Sequence, residues 1–218
     1  MVRRAFNTSQ EQNLMKSYPS ISGGVQYGTS VYVFDKLDGS NVRAEWTRKR
    51  GWAKFGRRNG LLDDSNPLLK ARVPNLILDN YAEEMEKVFR KKRWDKATAY
   101  FEFHGPSSFA GNHDENEQQQ VTLIDVAVPR KGILEPRTFL KLFDHLELPN
   151  LLHIGNFTRP MQQAVEAGDL EGMTFEGIVA KGSYVTPGRP LMFKWKSQAW
   201  LDALRSKCKT DAEFERRK

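Results

Sequence analysis

Residues 29–41 read TSVYVFDKLDGSN. Thr29–Asp35 is rich in β-branched and aromatic residues, the composition of a strand. It runs straight into KLDGSN and a second extended piece, Asn41–Thr47. Lys36 therefore stands at a strand end beside a glycine turn. A lysine so anchored is a candidate fixed nucleophile, and the glycine lets a phosphate approach the backbone. On the hexapeptide alone a surface lysine before a hairpin turn is the stronger reading, because Asp-Gly is a common hairpin signal.

Working outward, Thr98–His104, Val121–Val128, Met173–Lys181 and Leu191–Lys196 also read as strands. The spacing of Tyr81, Met85, Val88 and Phe89 predicts a helix over Asp79–Trp94, with Asn80 and Glu83 as a capping box. Further helices are expected over Pro136–Leu146, Thr158–Ala167 and Ser197–Lys207, and a last short one opens at Thr210. Gly105–Gln120, ending in NHDENEQQQ, reads as a mobile loop or lid. Strands and helices mix without a βαβ rhythm, which predicts an α+β domain of largely antiparallel sheets. No repeat and no linker-like stretch divides the 218 residues, so a single domain over 1–218 is expected.

Composition narrows the partners. Thirty-four Lys and Arg against 27 Asp and Glu give a net charge of +7, which favours polyanions. The apolar runs are stubs, and MVRRAFNTSQ has no hydrophobic stretch, so neither a membrane span nor a signal peptide is expected. A lone cysteine, Cys208, excludes an internal disulfide and fits a cytoplasmic setting.

Three further elements carry candidate chemistry. In LMFKWK (191–196), strand alternation puts Met192, Lys194 and Lys196 on one face and Leu191, Phe193 and Trp195 on the other. Two lysines on one face repel unless an anion lies between them; a solvated basic face reads equally well. Glu102 in YFEFHG and Glu176 in FEGIVAK are acids inside hydrophobic strands, where a carboxylate needs a partner. A ribose hydroxyl, a hydrated Mg²⁺ or a lysine would serve, while an edge-strand glutamate facing solvent is the simpler reading of each one singly. The interval Arg43–Arg58 holds Arg43, Arg48, Lys49, Arg50, Lys54, Arg57 and Arg58 against one acid, Glu45, with Trp46, Trp52 and Phe55 interleaved. Cations beside aromatics suit nucleic acid, although basic hairpins are often only solvated. Lys87 and Arg90–Arg93 read as the polar face of a helix. The four histidines show no metal-ligand spacing.

In order, KLDGSN, YFEFHG, FEGIVAK and FKWK resemble motifs I, III, IV and V of the covalent nucleotidyltransferase superfamily, the ATP-dependent DNA and RNA ligases and mRNA-capping guanylyltransferases. The likeness runs from about Tyr18 to Lys196. Arg58-Asn59-Gly60 is similar to the basic motif Ia, and YPSI (18–21) to a segment of bacteriophage-type RNA ligases. Asn41, where capping enzymes and most DNA ligases carry arginine, resembles the RNA-ligase version. The resemblance implies an adenylation-domain fold, ATP-grasp-like and without an OB-fold.

The activity it implies is ATP-dependent polynucleotide joining, with RNA at the 3′-hydroxyl end and RNA or DNA at the 5′-phosphate end. ATP would leave a covalent AMP on Lys36, with Lys194 and Lys196 also catalytic and with Mg²⁺ or Mn²⁺. Asp35, Arg58, Glu102 and Lys181 would join these lysines around the nucleotide. Asp38, Glu102 and Glu176 would serve the metal, and Asn41, Arg48, Lys49, Arg50 and Arg57 the nucleic acid, with the protein acting as a monomer. A capping-type guanylyltransferase, a catalytically silent nucleic-acid-binding homologue and a minimal DNA ligase are the alternatives. One departure stands out: VTLIDVAV (121–128) has no aromatic beside Asp125 to stack on adenine. Either Ile124 takes that place or an aromatic arrives from elsewhere.

Overall fold

The computed structural model describes residues 15–21 and 23–218, so the N-terminal MVRRAFNTSQ lies outside the described residues. The strands are β1 (Ser30–Asp35), β2 (Ser40–Thr47), β3 (Gly51–Arg57), β4 (Gly60–Leu61), β5 (Lys96–His104), β6 (Gln120–Val128), β7 (Gly132–Ile133), β8 (Leu151–Asn156), β9 (Gly177–Thr186) and β10 (Arg189–Lys196). They form two open antiparallel sheets, one in the order β4-β3-β2-β5-β6-β7 and one in the order β10-β9-β1-β8. The helices are α1 (Pro67–Ile77), α2 (Glu83–Lys91), α3 (Pro136–Phe143), α4 (Arg159–Ala167), α5 (Gln198–Lys207) and α6 (Asp211–Arg217). No closed barrel occurs among the described residues, and no helix among them is long and apolar enough to cross a membrane.

Alternation along β2 explains the larger core. Val42, Ala44 and Trp46 face a layer of Val73, Ile77, Tyr81, Met85 and Phe89 from the α1–α2 region, all buried. The intervening Asn41, Arg43 and Glu45 turn to the opposite face. The smaller core packs Val31, Val33, Ile178, Ala180 and Phe193 of the four-stranded sheet against Phe157 and Val165. Between the sheets lie Tyr100, Ala127 and Ile133, with Tyr18 and Ile124 packed against them.

The helix expected to begin at Asp79 begins instead at Pro67, and the segment reaches α2 through one π-helical turn, Leu78–Ala82. Pro67 is tolerated at the first helical position. Pro74 lies inside α1, where a proline removes a backbone bond; the buried stripe of Leu69, Val73 and Ile77 is the packing that accompanies it. Asn80 is thus mid-segment, and its amide donates to the Leu76 carbonyl rather than capping a helix. β8 has no counterpart in the sequence reading, since its half-exposed LLHIGN shows neither strict alternation nor an apolar run. The strand expected from Met173 starts only at Gly177, because Thr174 turns aside to hydrogen-bond Asp35. Helices α4, α5 and α6 open on side-chain caps from Thr158, Ser197 and Thr210, so the helix expected from Thr158 starts one residue later, at Arg159. Residues 105–119, read as a mobile loop, are tied down: Arg72 donates to the carbonyls of Glu115 and Glu117, and His113 bonds the Ser40 hydroxyl.

Candidate active site

Strand ends from both sheets converge on a cleft of about 530 Å³. Lys36 follows β1, a central strand held between β8 and β9, and its backbone N–H donates to the Gly177 carbonyl at 2.9 Å. Asn41 and Glu102 sit directly opposite one another on β2 and β5. Glu176 immediately precedes β9, and Lys194 and Lys196 lie on β10, paired with Val179 and Gly177. Gly177 is required here: its φ is +136°, and a Cβ would lie 2.2 Å from the Trp195 carbonyl. Of the residues expected from the sequence, all but Arg48, Lys49 and Arg50 line this cleft.

Glu176 is the hub. One carboxylate oxygen takes Lys36 Nζ at 2.8 Å and the other takes Lys196 Nζ at 2.7 Å, with the glutamate side chain 5% exposed. Burial pushes Lys36 down, but the Glu176 and Glu102 carboxylates outweigh it and hold the ammonium above the usual lysine range. Burial lowers Lys196 to about 8, with Glu176 opposing and Lys36 assisting. Lys194 is lowered too, by burial and by the charge of Lys36; its ammonium donates to the Lys218 carbonyl at 2.9 Å. Glu102 is pushed up to about 8 by burial, against the pull of Lys36. Asp38 is raised by burial and by Glu176, while one of its oxygens accepts from Ala110 N at 2.8 Å and Trp200 Nε1 at 2.7 Å.

These positions bear on a metal ion. Among the described residues no cluster of three acid, histidine or cysteine side chains could hold one directly. Glu176 is spoken for by two lysines, which leaves one Asp38 oxygen and the Glu102 carboxylate. Oxygen donors so few and so spaced fit a hydrated Mg²⁺ or Mn²⁺ held through its waters and a nucleotide's phosphates, the usual habit of Mg²⁺.

Asp35 and Lys181 line the cleft, but their charged groups are engaged elsewhere. The Asp35 carboxylate accepts from the Thr174 backbone N–H at 2.9 Å and from its hydroxyl. Lys181 Nζ donates to Asp125 at 2.8 Å and to the Ile124 carbonyl at 2.7 Å. Asp125 also receives the Tyr18 hydroxyl. Tyr18 lies 5.0 Å from the Tyr100 ring and lines the cleft near Ile124. Tyr18 thus puts an aromatic ring beside Ile124 in the cleft lining, bonded to the same Asp125 oxygen as Lys181. Arg58 reaches Ser20 at 3.2 Å at the rim, and Arg57 lines the cleft beside it.

Arg48, Lys49 and Arg50 occupy the β2–β3 turn at the other end of the sheet. Seven residues of β2 at about 3.3 Å each separate Arg48 from Asn41 by roughly 23 Å. The structure joins this turn to a second basic run. Arg48 bonds the Asp95 carboxylate at 3.0 Å and the Trp94 carbonyl at 3.1 Å, which sets it beside exposed Lys91, Lys92 and Arg93. The helix-face reading holds for Arg90 and Lys91, which end α2, but not for Arg93, which leaves the helix with a φ of +56°. Sequence reasoning also missed Trp200 and Arg217 in the cleft lining. Trp200 was legible only as the fourth residue after Lys196, one helical turn past the Ser197 cap; Arg217 had no signal.

No family model and no curated protein matches the chain. Solved structures do. A Naegleria gruberi RNA ligase mutant with ATP and Mn superposes with a TM-score of 0.55 at 18% identity, covering 88% of this chain and 61% of that one. The same ligase with PPi gives 0.55 at 19% identity, covering 83% and 53%. A mutant apo form gives 0.56 at 18%, covering 88% and 60%. The chain therefore shares its fold with these RNA ligases and spans little more than half of their length.

Proposed function

We propose that the protein is an ATP-dependent RNA ligase that works through a lysine–AMP intermediate. The observation that carries this reading is the Lys36–Glu176–Lys196 arrangement at the floor of a cleft walled by all four sequence motifs. Lys36 lines the cleft with further lysines around it, which supports its reading as the group that meets a phosphate. The fold neighbours, RNA ligases solved with ATP, AMP, PPi and Mn, support the same reading.

In the first step Lys36 Nζ attacks the α-phosphorus of ATP, the bond to pyrophosphate breaks, and AMP remains on the lysine as a phosphoramidate. The amine must first lose its proton, and Glu176, 2.8 Å away, is the nearest acceptor. Lys194 and Lys196 oppose charge on Lys36 and favour the negative charge that builds on the phosphoryl oxygens. A divalent ion, when bound, supplies further charge to the phosphates. Glu102, neutral below about 8, is suited to hydrogen-bond the ribose. Arg57, Arg58 and Asn41 face the phosphate end. In the second step AMP passes to a 5′-phosphate; in the third a 3′-hydroxyl attacks that phosphate and AMP leaves.

The test is direct. The protein is incubated with ATP or GTP and Mg²⁺ or Mn²⁺, then weighed. Addition of one AMP, lost on adding pyrophosphate, is the expected result. Addition of GMP instead would indicate a capping-type enzyme, and no addition under any condition would overturn the assignment.

A further inference from the structure

Trp200 lies outside every motif, yet it touches two of them. Its indole Nε1 donates to Asp38 Oδ2 at 2.7 Å, and its ring lies under the Lys196 ammonium, with Nζ 3.4 Å from the ring centroid. Its own placement is fixed. Ser197 N donates to the Glu176 carbonyl at 3.0 Å, and Ser197 Oγ donates to the Phe175 carbonyl at 2.7 Å while accepting from Trp200 N at 3.1 Å. The first turn of α5 is thereby bolted to the residue that carries the central carboxylate. Phe109 packs 5.8 Å from the indole, and the next residue, Ala110, gives its N–H to the same Asp38 oxygen. The indole is 1% exposed.

We propose that Trp200 is a positioning residue that locks the Asp38 carboxylate of the KLDG turn and the Lys196 ammonium of β10 into one rigid unit around Lys36. The two contacts are complementary. A donor directed at one carboxylate oxygen leaves the other to face the cleft, and an aromatic face beneath an ammonium restrains it without neutralising it. A side chain able to do both at once must combine a ring face with an edge N–H. Phenylalanine keeps the first and loses the second; leucine loses both. This inference rests on Lys36 as the nucleophile of nucleotide transfer.

The experiment has two arms. In the first, Trp200→Phe, Trp200→Leu, Asp38→Ala and the Trp200→Phe/Asp38→Ala double variant are assayed for the rate of adduct formation, with folding checked by thermal melting. Trp200→Phe should lower kcat about tenfold or more and leave KM for ATP within about twofold, the split expected when a residue that does not touch ATP stops holding a reacting group in place. Trp200→Leu should fall further, and the double variant should be no slower than Asp38→Ala alone. Wild-type kcat in Trp200→Phe, or losses that multiply in the double variant, would overturn the proposal. The second arm needs no activity. The Trp200 indole N–H resonance, identified by its absence from Trp200→Phe, should exchange slowly and should move in Asp38→Ala; an unmoved resonance would also overturn it. A wild-type protein that takes up no nucleotide refutes the ligase reading alone, because the second arm still decides the Trp200–Asp38 contact.

Discussion

Lys36 and Glu176 stand 140 residues apart in sequence and meet at 2.8 Å. The contact joins the end of β1 to the residue before β9, and it sets two demands against each other. The carboxylate stabilises Lys36 as an ammonium, whereas attack on phosphorus needs the free amine. Under the proposed mechanism nucleotide binding would have to shift that balance, with Lys194 and Lys196 the neighbouring cations that oppose charge on Lys36.

Lys36→Ala and Lys36→Arg should each abolish nucleotide addition: one has no amine, and the other stays protonated at any working pH. The alanine variant should still seal a pre-adenylated strand slowly, because that step uses no lysine nucleophile. Formation of the adduct by Lys36→Arg at the wild-type rate, read by mass, would remove Lys36 from its role.

The two β10 lysines should separate by stability. Both Lys194→Ala and Lys196→Ala should slow adduct formation by orders of magnitude. Lys194 is half-buried and, among the described residues, donates to a backbone oxygen rather than to a carboxylate, so its loss should leave melting nearly unchanged. Lys196 is buried against Glu176, and truncating one partner of such a pair costs about 3–5 kcal/mol. Glu176→Ala, which leaves two lysines facing each other, should be destabilised at least as much. Identical melting of the two lysine variants would contradict the placement of Lys196.

The pH dependence of stability has a definite sign at Glu102. Its folded pKa, about 8, lies above the ordinary glutamate value, so the folded state binds the proton more tightly than the unfolded state. Stability should therefore fall as pH rises from roughly 4.5 towards about 8, through this group. Glu102→Gln cannot ionise and should melt higher than wild type at pH 8, by several degrees, but not at pH 4, while losing adduct formation. A melting difference independent of pH would mean that Glu102 is charged in the folded protein.

Polynucleotide binding should depend on the basic turns remote from the cleft. Replacing Arg48, Lys49 and Arg50 should weaken binding and flatten its salt dependence by roughly 0.9 per lost duplex phosphate contact. Adding Lys92→Ala and Arg93→Ala should extend the loss, since both turns share one surface. Adduct formation from ATP should be unaffected, because this surface is roughly 23 Å along β2 from Asn41. Equal damage to both activities would tie the turns to the nucleotide pocket.

Sugar choice should be strict on one side only. The 3′-hydroxyl end enters the site as nucleophile, and its terminal ribose brings an extra hydroxyl and an A-form pucker. RNA should be required there, with DNA or RNA accepted at the 5′-phosphate end. Nicked duplexes of all four sugar combinations test this; a DNA 3′-hydroxyl joined as well as an RNA one would point to a minimal DNA ligase.

The strands that carry chemistry were readable because each combines strong β-propensity with a short, ordered motif, as at Lys36, Glu102, Glu176 and Lys194. The alternation that set Lys194 and Lys196 on one face held. What escaped the sequence depends on contacts between distant segments. The α1 start was hidden by prolines whose cost tertiary packing offsets. β8 is half-exposed and so lacks a hydrophobic signature. The joining of Arg48–Arg50 with Lys91–Arg93, and the link from Trp200 to Asp38, follow from how the chain returns on itself, which no local window records.

Tyr18 is held by Asp125, which Lys181 also holds, and under the proposed ligase reading this makes Tyr18 a handle on base selectivity. Truncation up to residue 21 would leave the Asp125–Lys181 pair with one neighbour fewer and remove the ring packed beside Ile124. Lys194 and Lys196 on β10 would keep their partners, while Arg58 would lose its bond to Ser20. Under the proposed ligase reading, donor specificity is therefore best sought at Tyr18 and at its cleft-lining neighbours Pro19 and Ile21.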